Sequence, residues 1–299
     1  MEKEGCGNMK KTNTDKIIGI IITILLVILA ILTVTPLINV VALSLSSRWP
    51  VEANQVTLIP KGFTFDSWKK MLSHGSLWQS LAITIGVTAV GTGLALIITS
   101  FMAYPLSKSE FKLTKPLMLM VVFTMIFKAP LIPKFLILRN YGLYDNPWVM
   151  VVPFILGSYN LVVMRTFFQG FPKELEESAM LDGASRFMTF LRIVLPSSKA
   201  VLATVGLFYG VAFWNQYETP LIYIQNDKWY PLQLKVKQLV VDDELTKVLM
   251  GGAIDVSANY ADRTLQAVVV VFAIIPIIMI YPYLQKYFAK GAMVGSVKG

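Results

Sequence analysis

Ile17-Ile-Gly-Ile-Ile-Ile-Thr-Ile-Leu-Leu-Val-Ile-Leu-Ala-Ile-Leu-Thr-Val-Thr-Pro-Leu-Ile-Asn-Val-Val-Ala-Leu-Ser-Leu45 contains no charged side chain. About 20 apolar residues in a helix cross the roughly 30 Å hydrocarbon layer of a bilayer. This run is longer than that. Its basic flank (Lys10, Lys11, Lys16) and the Ala42-Leu43-Ser44 stretch resemble a secretory signal, but a signal core spans only about 7 to 15 residues. The run is therefore read as a retained anchor.

Five further apolar runs follow: Leu77 to Ala103, Pro116 to Ile137, Trp148 to Phe168, Ser198 to Ile224 and Thr264 to Phe288. The third is interrupted in its outer half by Lys128, Pro130 and Pro133. The expected fold class is all-α, an integral membrane bundle of six transmembrane helices over residues 17–288. Residues 1–16 precede it and a short basic tail, 289–299, follows.

Composition agrees. Of 299 residues, 55% are hydrophobic and 15% charged, where soluble domains carry about a quarter charged residues. The net charge of +9 suggests nucleic acid only when the basic residues form one stripe. Here they lie between apolar runs, as expected for loops obeying the positive-inside rule. An even number of spans puts both termini on one side, and Lys108, Lys112 and Lys115 in one short loop place that side in the cytoplasm. The single Cys6 excludes an internal disulfide and a thiolate metal cluster.

Catalytic signals are missing from the sequence. Phosphate-cradling loops read Gly-x-x-x-x-Gly-Lys-Ser/Thr. Gly86 and Gly91 have the glycine spacing, but Thr92-Gly93 follows inside an apolar run. The lone His74 has no acidic or thiol neighbour at ligand spacing, and no nucleophile elbow accompanies it. The chain is expected not to be an enzyme, and to hold neither metal nor cofactor.

Between the fourth and fifth runs lies a polar stretch, 171–196. Pro172 suits a first helical turn, and Glu174, Glu176 and Glu177 complement the positive helix start. Gly183 suits the left-handed position that ends a helix. A second short helix follows, with Phe187, Phe190, Leu191 and Val194 as its apolar face. Pro196 then opens the fifth run. Local physics leaves two readings open, an interfacial hairpin against lipid and a docking site for a cytoplasmic partner.

Glu177-Ser178-Ala179, Asp182-Gly183-Ala184 and Ile193-Val194-Leu195-Pro196 together resemble the Glu-Ala-Ala loop of ATP-binding-cassette importer permeases. Ser178 replaces the first Ala, and Ala200 stands where the family often has Pro. Leu131-Ile-Pro133, Tyr141-Gly-Leu143, Phe213-Trp-Asn215 and Gly295-Ser-Val-Lys-Gly299 resemble the carbohydrate branch, specifically its maltose-permease-like subunit and the oligosaccharide group that includes aldouronate permeases. That group often has glycines where this chain has Lys128-Ala129-Pro130.

The resemblance implies a cytoplasmic coupling helix docking on an ATPase through Glu174, Glu177, Ser178, Ala179, Asp182, Gly183, Ala184, Phe187, Leu191 and Pro196. It implies a second homologous permease, two ATPase subunits that bind the ATP and Mg, an extracellular solute-binding protein meeting the outer loop 225–262, and a bacterial cytoplasmic membrane with no nucleic-acid partner. The cargo implied is an oligosaccharide; a polyol or glycerol phosphate is the alternative cargo. A stand-alone secondary transporter or channel is the competing class, and it would need internal repeats and paired intramembrane charges.

Four residues are candidates for a translocation pathway. Lys128 is an ionisable group at membrane depth, where function is the default hypothesis and snorkelling the alternative. Trp214, Asn215 and Tyr217 offer the flat faces and amide groups that sugars use, or else an interfacial aromatic belt.

Overall fold

A computed structural model describes residues 13–241 and 261–291. The first part of the N-terminal segment, residues 242–260 of the outer loop, and the tail beyond Gly291 lie outside the described residues. Among the described residues the regular structure is all helical, with no strand.

The helices are α1 (Asn13–Ser44), α2 (Arg48–Glu52), α3 (Asp66–Leu72), α4 (Gly75–Ser107), α5 (Thr114–Ile126), α6 (Leu131–Asn140), α7 (Ser158–Gln169) and α8 (Lys173–Leu181). There follow α9 (Arg186–Thr189), α10 (Leu195–Ser197), α11 (Lys199–Trp214), α12 (Glu218–Tyr223), α13 (Leu232–Val241) and α14 (Asp262–Gly291). Three of them hold uninterrupted apolar stretches long enough to cross a membrane, Lys16–Ser44, Gly75–Ser107 and Asp262–Ile280. Three more crossings exist only as bent pairs, so the described chain has up to six.

The interruption expected in the third run is present, and the fourth and fifth runs are broken as well. The third run breaks by 118° between α5 and α6, because Pro130 has no N–H to donate and restricts the residue before it. The fourth starts as two short 3₁₀ turns (Pro147–Met150 and Val152–Phe154) and bends by 43° into α7. The fifth is split into α11, which ends at Trp214, and the separate helix α12, which begins at Glu218.

The chain divides into two compact units. In the first, residues 13–71 with 261–271, α1 exposes its apolar side chains from Ile17 to Leu32. Such a surface is stable only against lipid or another protein. Beyond it Ala42, Val51, Val56 and Ala261 form a small core. Asn39 Nδ2 donates to the Thr57 carbonyl at 2.5 Å, and Arg263 Nη1 to Asn54 Oδ1 at 2.6 Å.

The second unit is organised around α4. Gly91, Ala95, Thr99 and Ala103 recur every fourth residue and are all buried. Small side chains in such a row let neighbouring backbones approach closely. Facing them, α11 buries Val201, Val205, Tyr209 and Phe213 at the same spacing. The fit is close: a Cβ on Gly91 would stand 2.7 Å from the Phe213 ring. Tyr209 Oη shares a 2.7 Å hydrogen bond with Thr99 Oγ1 and accepts one from the Gly157 N–H at 2.8 Å. One buried hydroxyl thus ties α4 and α11 to the bend that starts α7.

Beyond Trp214, Asp145 closes the loop region. Its carboxylate Oδ1 accepts from the backbone N–H groups of Gln225 and Asn226, each at 2.9 Å, while its own N–H donates to Tyr223 O at 2.8 Å. Leu232 donates its backbone N–H to Thr84 Oγ1 at 2.7 Å, so the start of the outer loop lies along α4.

Candidate functional site

The polar stretch 171–196 folds as two helices joined by a tight turn. α8 ends as its sequence predicts: Gly183 has φ +85°, Ala184 donates to Ala179 O at 3.0 Å and Gly183 to Met180 O at 3.1 Å. That paired bond pattern with a left-handed glycine is the Schellman termination. Ser185 caps the next helix, its Oγ accepting from the Met188 N–H.

The second helix departs from the expected one. After α9 the backbone widens into a π turn, Phe190–Val194, before α10. Phe190 and Val194 are buried and Leu191 packs against them, but Phe187 stays 59% exposed. Pro196 does not open the fifth span; it lies in α10, before a 79° bend into α11.

What holds this hairpin to the bundle is an aromatic and ionic junction at the Ser107 end of α4. The Tyr104 and Phe190 rings stack at 4.7 Å, and Phe168 meets Phe190 edge-on at 6.2 Å. Lys108 Nζ lies 2.5 Å from both carboxylate oxygens of Glu176, with Tyr104 Oη donating to Glu176 Oε2 at 3.3 Å. Lys108 also sits 4.8 Å from the centre of the Tyr104 ring. Arg165 Nε donates to Leu106 O at 2.7 Å. Farther out, Arg186 pairs with Glu110, whose hydrogen bond and charge raise the guanidinium pKa. Tyr104, Lys108, Glu110, Glu176, Arg186 and Phe190 border a cleft of about 860 Å³.

Glu176 is only 7% exposed, and sequence reasoning gave it no more than a helix-start role. Its partner is 68 residues away, so nothing in the local pattern could mark it. The remaining acidic residues of the hairpin, Glu174, Glu177 and Asp182, face outward with Ser178. Leu175, Met180 and Leu181 are exposed among them, while Ala179 is buried and Ala184 half-buried. The hairpin therefore has an anchoring face (Glu176, Ala179, Phe190, Val194) and an open face of mixed acid and apolar character.

The four pathway candidates are not brought together as one cluster. Trp214 is 7% exposed. Asn215 is exposed, its Nδ2 donating to Val211 O at 2.9 Å within its own helix. Tyr217 is partly exposed, bonded to Glu218 at 3.3 Å, with Lys237 4.9 Å from its ring centre. Lys128 is exposed in the four-residue break between α5 and α6. No group of three or more His, Cys, Asp or Glu side chains able to hold a metal occurs among the described residues.

Comparison with known proteins follows the fold. Residues 95–294 match the family described as binding-protein-dependent transport system inner membrane component. The chain is 36% identical to the polygalacturonan/rhamnogalacturonan transport system permease protein YtcP of Bacillus subtilis (strain 168), over 92% of this chain and 96% of that protein. It is 37% identical to protein LplC of the same organism, over 90% of each chain. A solved structure of a bacterial ABC transporter involved in the import of the acidic polysaccharide alginate matches with a TM-score of 0.85 and 31% identity, covering 93% of this chain and 98% of that chain. The chain belongs to the family of binding-protein-dependent transport system inner membrane components.

Proposed function

We propose that this chain is the permease subunit of an ATP-driven, binding-protein-dependent importer of oligosaccharides in a bacterial cytoplasmic membrane. The observation that carries the reading is near full-length similarity to a permease named for polygalacturonan and rhamnogalacturonan transport. The alginate importer supports the same cargo class. The hairpin geometry supports the division of labour: a rigidly anchored element with an open acidic and apolar face suits docking on a partner protein. The resemblance of Glu177-Ser178-Ala179 and Asp182-Gly183-Ala184 to the Glu-Ala-Ala loop makes that partner an ATPase subunit.

In this reading the complex has a second homologous permease, two ATPase subunits binding ATP and Mg, and an extracellular binding protein. Six crossings, three of them bent, leave both termini in the cytoplasm. ATP closes the ATPase pair, α8 moves with its docking groove, and the Lys108–Glu176 junction passes that movement to α4. Because α4, α7 and α11 share buried contacts through Tyr209, they move together between two packings, each favoured by different partner contacts.

Reconstitution tests this. Oligosaccharide uptake into liposomes holding the full complex should require both ATP and the binding protein. Uptake by this chain alone, without any ATPase, would overturn the reading in favour of a secondary transporter.

A further inference from the structure

Two of the bent spans break side by side. α5 runs 13 residues, about 20 Å at 1.5 Å per residue, before its bend at Phe127. α7 runs 12 residues, about 18 Å, from Gln169 back to the bend before Ser158. Thr124 Oγ1 and Ser158 Oγ share a 2.8 Å hydrogen bond across the two helices. Both breaks therefore fall near or somewhat past the middle of a hydrocarbon layer roughly 30 Å thick. At that depth irregular backbone is tolerated only when protein covers it or it lines a water-filled cavity. Paired discontinuous helices near the midplane are a recurring way to build a cargo site.

The side chains at the double break have a specific chemistry. Lys128 lies in it, exposed and in no ion pair among the described residues. A charge at membrane depth faces a bundle interior or an aqueous path rather than lipid. Beside it the Phe123 and Phe127 rings stack at 4.5 Å and 24°, and Phe127 is 62% exposed. Tyr159, in the first turn of α7, is also exposed. A cation next to flat aromatic surface and hydroxyl groups fits a pyranose that carries a carboxylate.

We infer that the double break at Phe127–Pro130 and Gly157–Ser158 is a cargo-contact site, where Lys128 binds the carboxylate of a uronate-bearing oligosaccharide and the Phe123–Phe127 pair supports its ring. This rests on the importer reading and narrows its cargo to acidic sugars.

The test uses the whole complex in liposomes, with an oligogalacturonate and a neutral galactan trisaccharide as probes. Lys128→Gln should lower oligogalacturonate uptake roughly tenfold to a hundredfold, the range for losing a hydrogen bond to a charged group. The complex should assemble as the wild type does, and Lys128→Arg should restore most of the uptake. Unchanged uptake in Lys128→Gln overturns the inference, as does failure of that variant to assemble. An equal loss for both sugars overturns it too, since a lipid anchor would act that way. A wild-type complex that moves the neutral sugar but not the acid overturns the inference and spares the importer reading; one that moves neither overturns both.

Discussion

Lys108 Nζ sits 2.5 Å from both carboxylate oxygens of Glu176, joining the end of α4 to the middle of α8. The pair is the mechanical link in the proposed coupling, because it is mostly shielded from water and reinforced by Tyr104. Salt screens surface pairs strongly but acts less on a pair buried to this degree.

Removing one partner strands the other. Glu176→Ala should cost about 2–4 kcal/mol, toward the lower side of the range for a broken buried pair, since Lys108 keeps some water contact. Thermal unfolding of the purified complex would read this as a lower Tm. The apolar double change Lys108→Met with Glu176→Leu should recover much of that stability, because it leaves no unpaired charge. A double variant as unstable as Glu176→Ala would show that the junction is not a simple ion pair.

Glu177 is exposed at the same cleft. Glu177→Lys should leave the Tm of this chain within about 1 kcal/mol equivalent, as exposed substitutions do, yet weaken ATPase docking and uncouple hydrolysis from uptake. Comparing ATP hydrolysed per sugar imported checks it. Unchanged coupling would remove Glu177 from the docking face.

Tyr209→Phe deletes one oxygen and two hydrogen bonds. Thr99 Oγ1 and the Gly157 N–H lose their shared partner, which should destabilise the bundle by about 1–3 kcal/mol. Thermal or denaturant unfolding in detergent would measure it; a shift under about 0.5 kcal/mol would mean water replaces the hydroxyl.

At Gly91 the constraint is steric. Gly91→Ala places its methyl against a buried Phe213 ring, an overpacking expected to cost about 1–3 kcal/mol. Pairing it with Phe213→Leu should relieve most of the loss, and the double-mutant cycle would show strong non-additivity.

Gly183 requires a left-handed backbone at φ +85°. Gly183→Ala should cost about 1–2 kcal/mol, the penalty of that conformation for a residue with a Cβ, and lower coupling more than it lowers assembly. Equal coupling in the variant would show that the turn tolerates rearrangement.

Much of this was readable from local pattern. Charge-free runs, the glycine at 183 and the proline at 172 act through properties of single residues and their neighbours, so α1, α4 and α8 emerge without tertiary information. The packing role of Gly91 was not readable: Thr92-Gly93 already ruled out a phosphate loop, but only the approach of α11 shows why a side chain does not fit at 91. Trp214 read from its neighbours Asn215 and Tyr217 as either a sugar platform or part of an interfacial aromatic belt, and its burial depends on how the rest of the unit packs around α11.

The sequence by itself determined a helical membrane chain and a polar hairpin with a fixed turn, because hydrophobic length and backbone preference are local quantities. Only the tertiary structure decided which face of that hairpin is anchored and which is open. Lys108 and Glu176 are far apart along the chain, and whether a charge is buried and paired is settled by three-dimensional neighbours, not by its place in the sequence. The same holds for Lys128: its proline-rich surroundings foretold an interruption, but its position beside the break before α7 came from the packing of two spans.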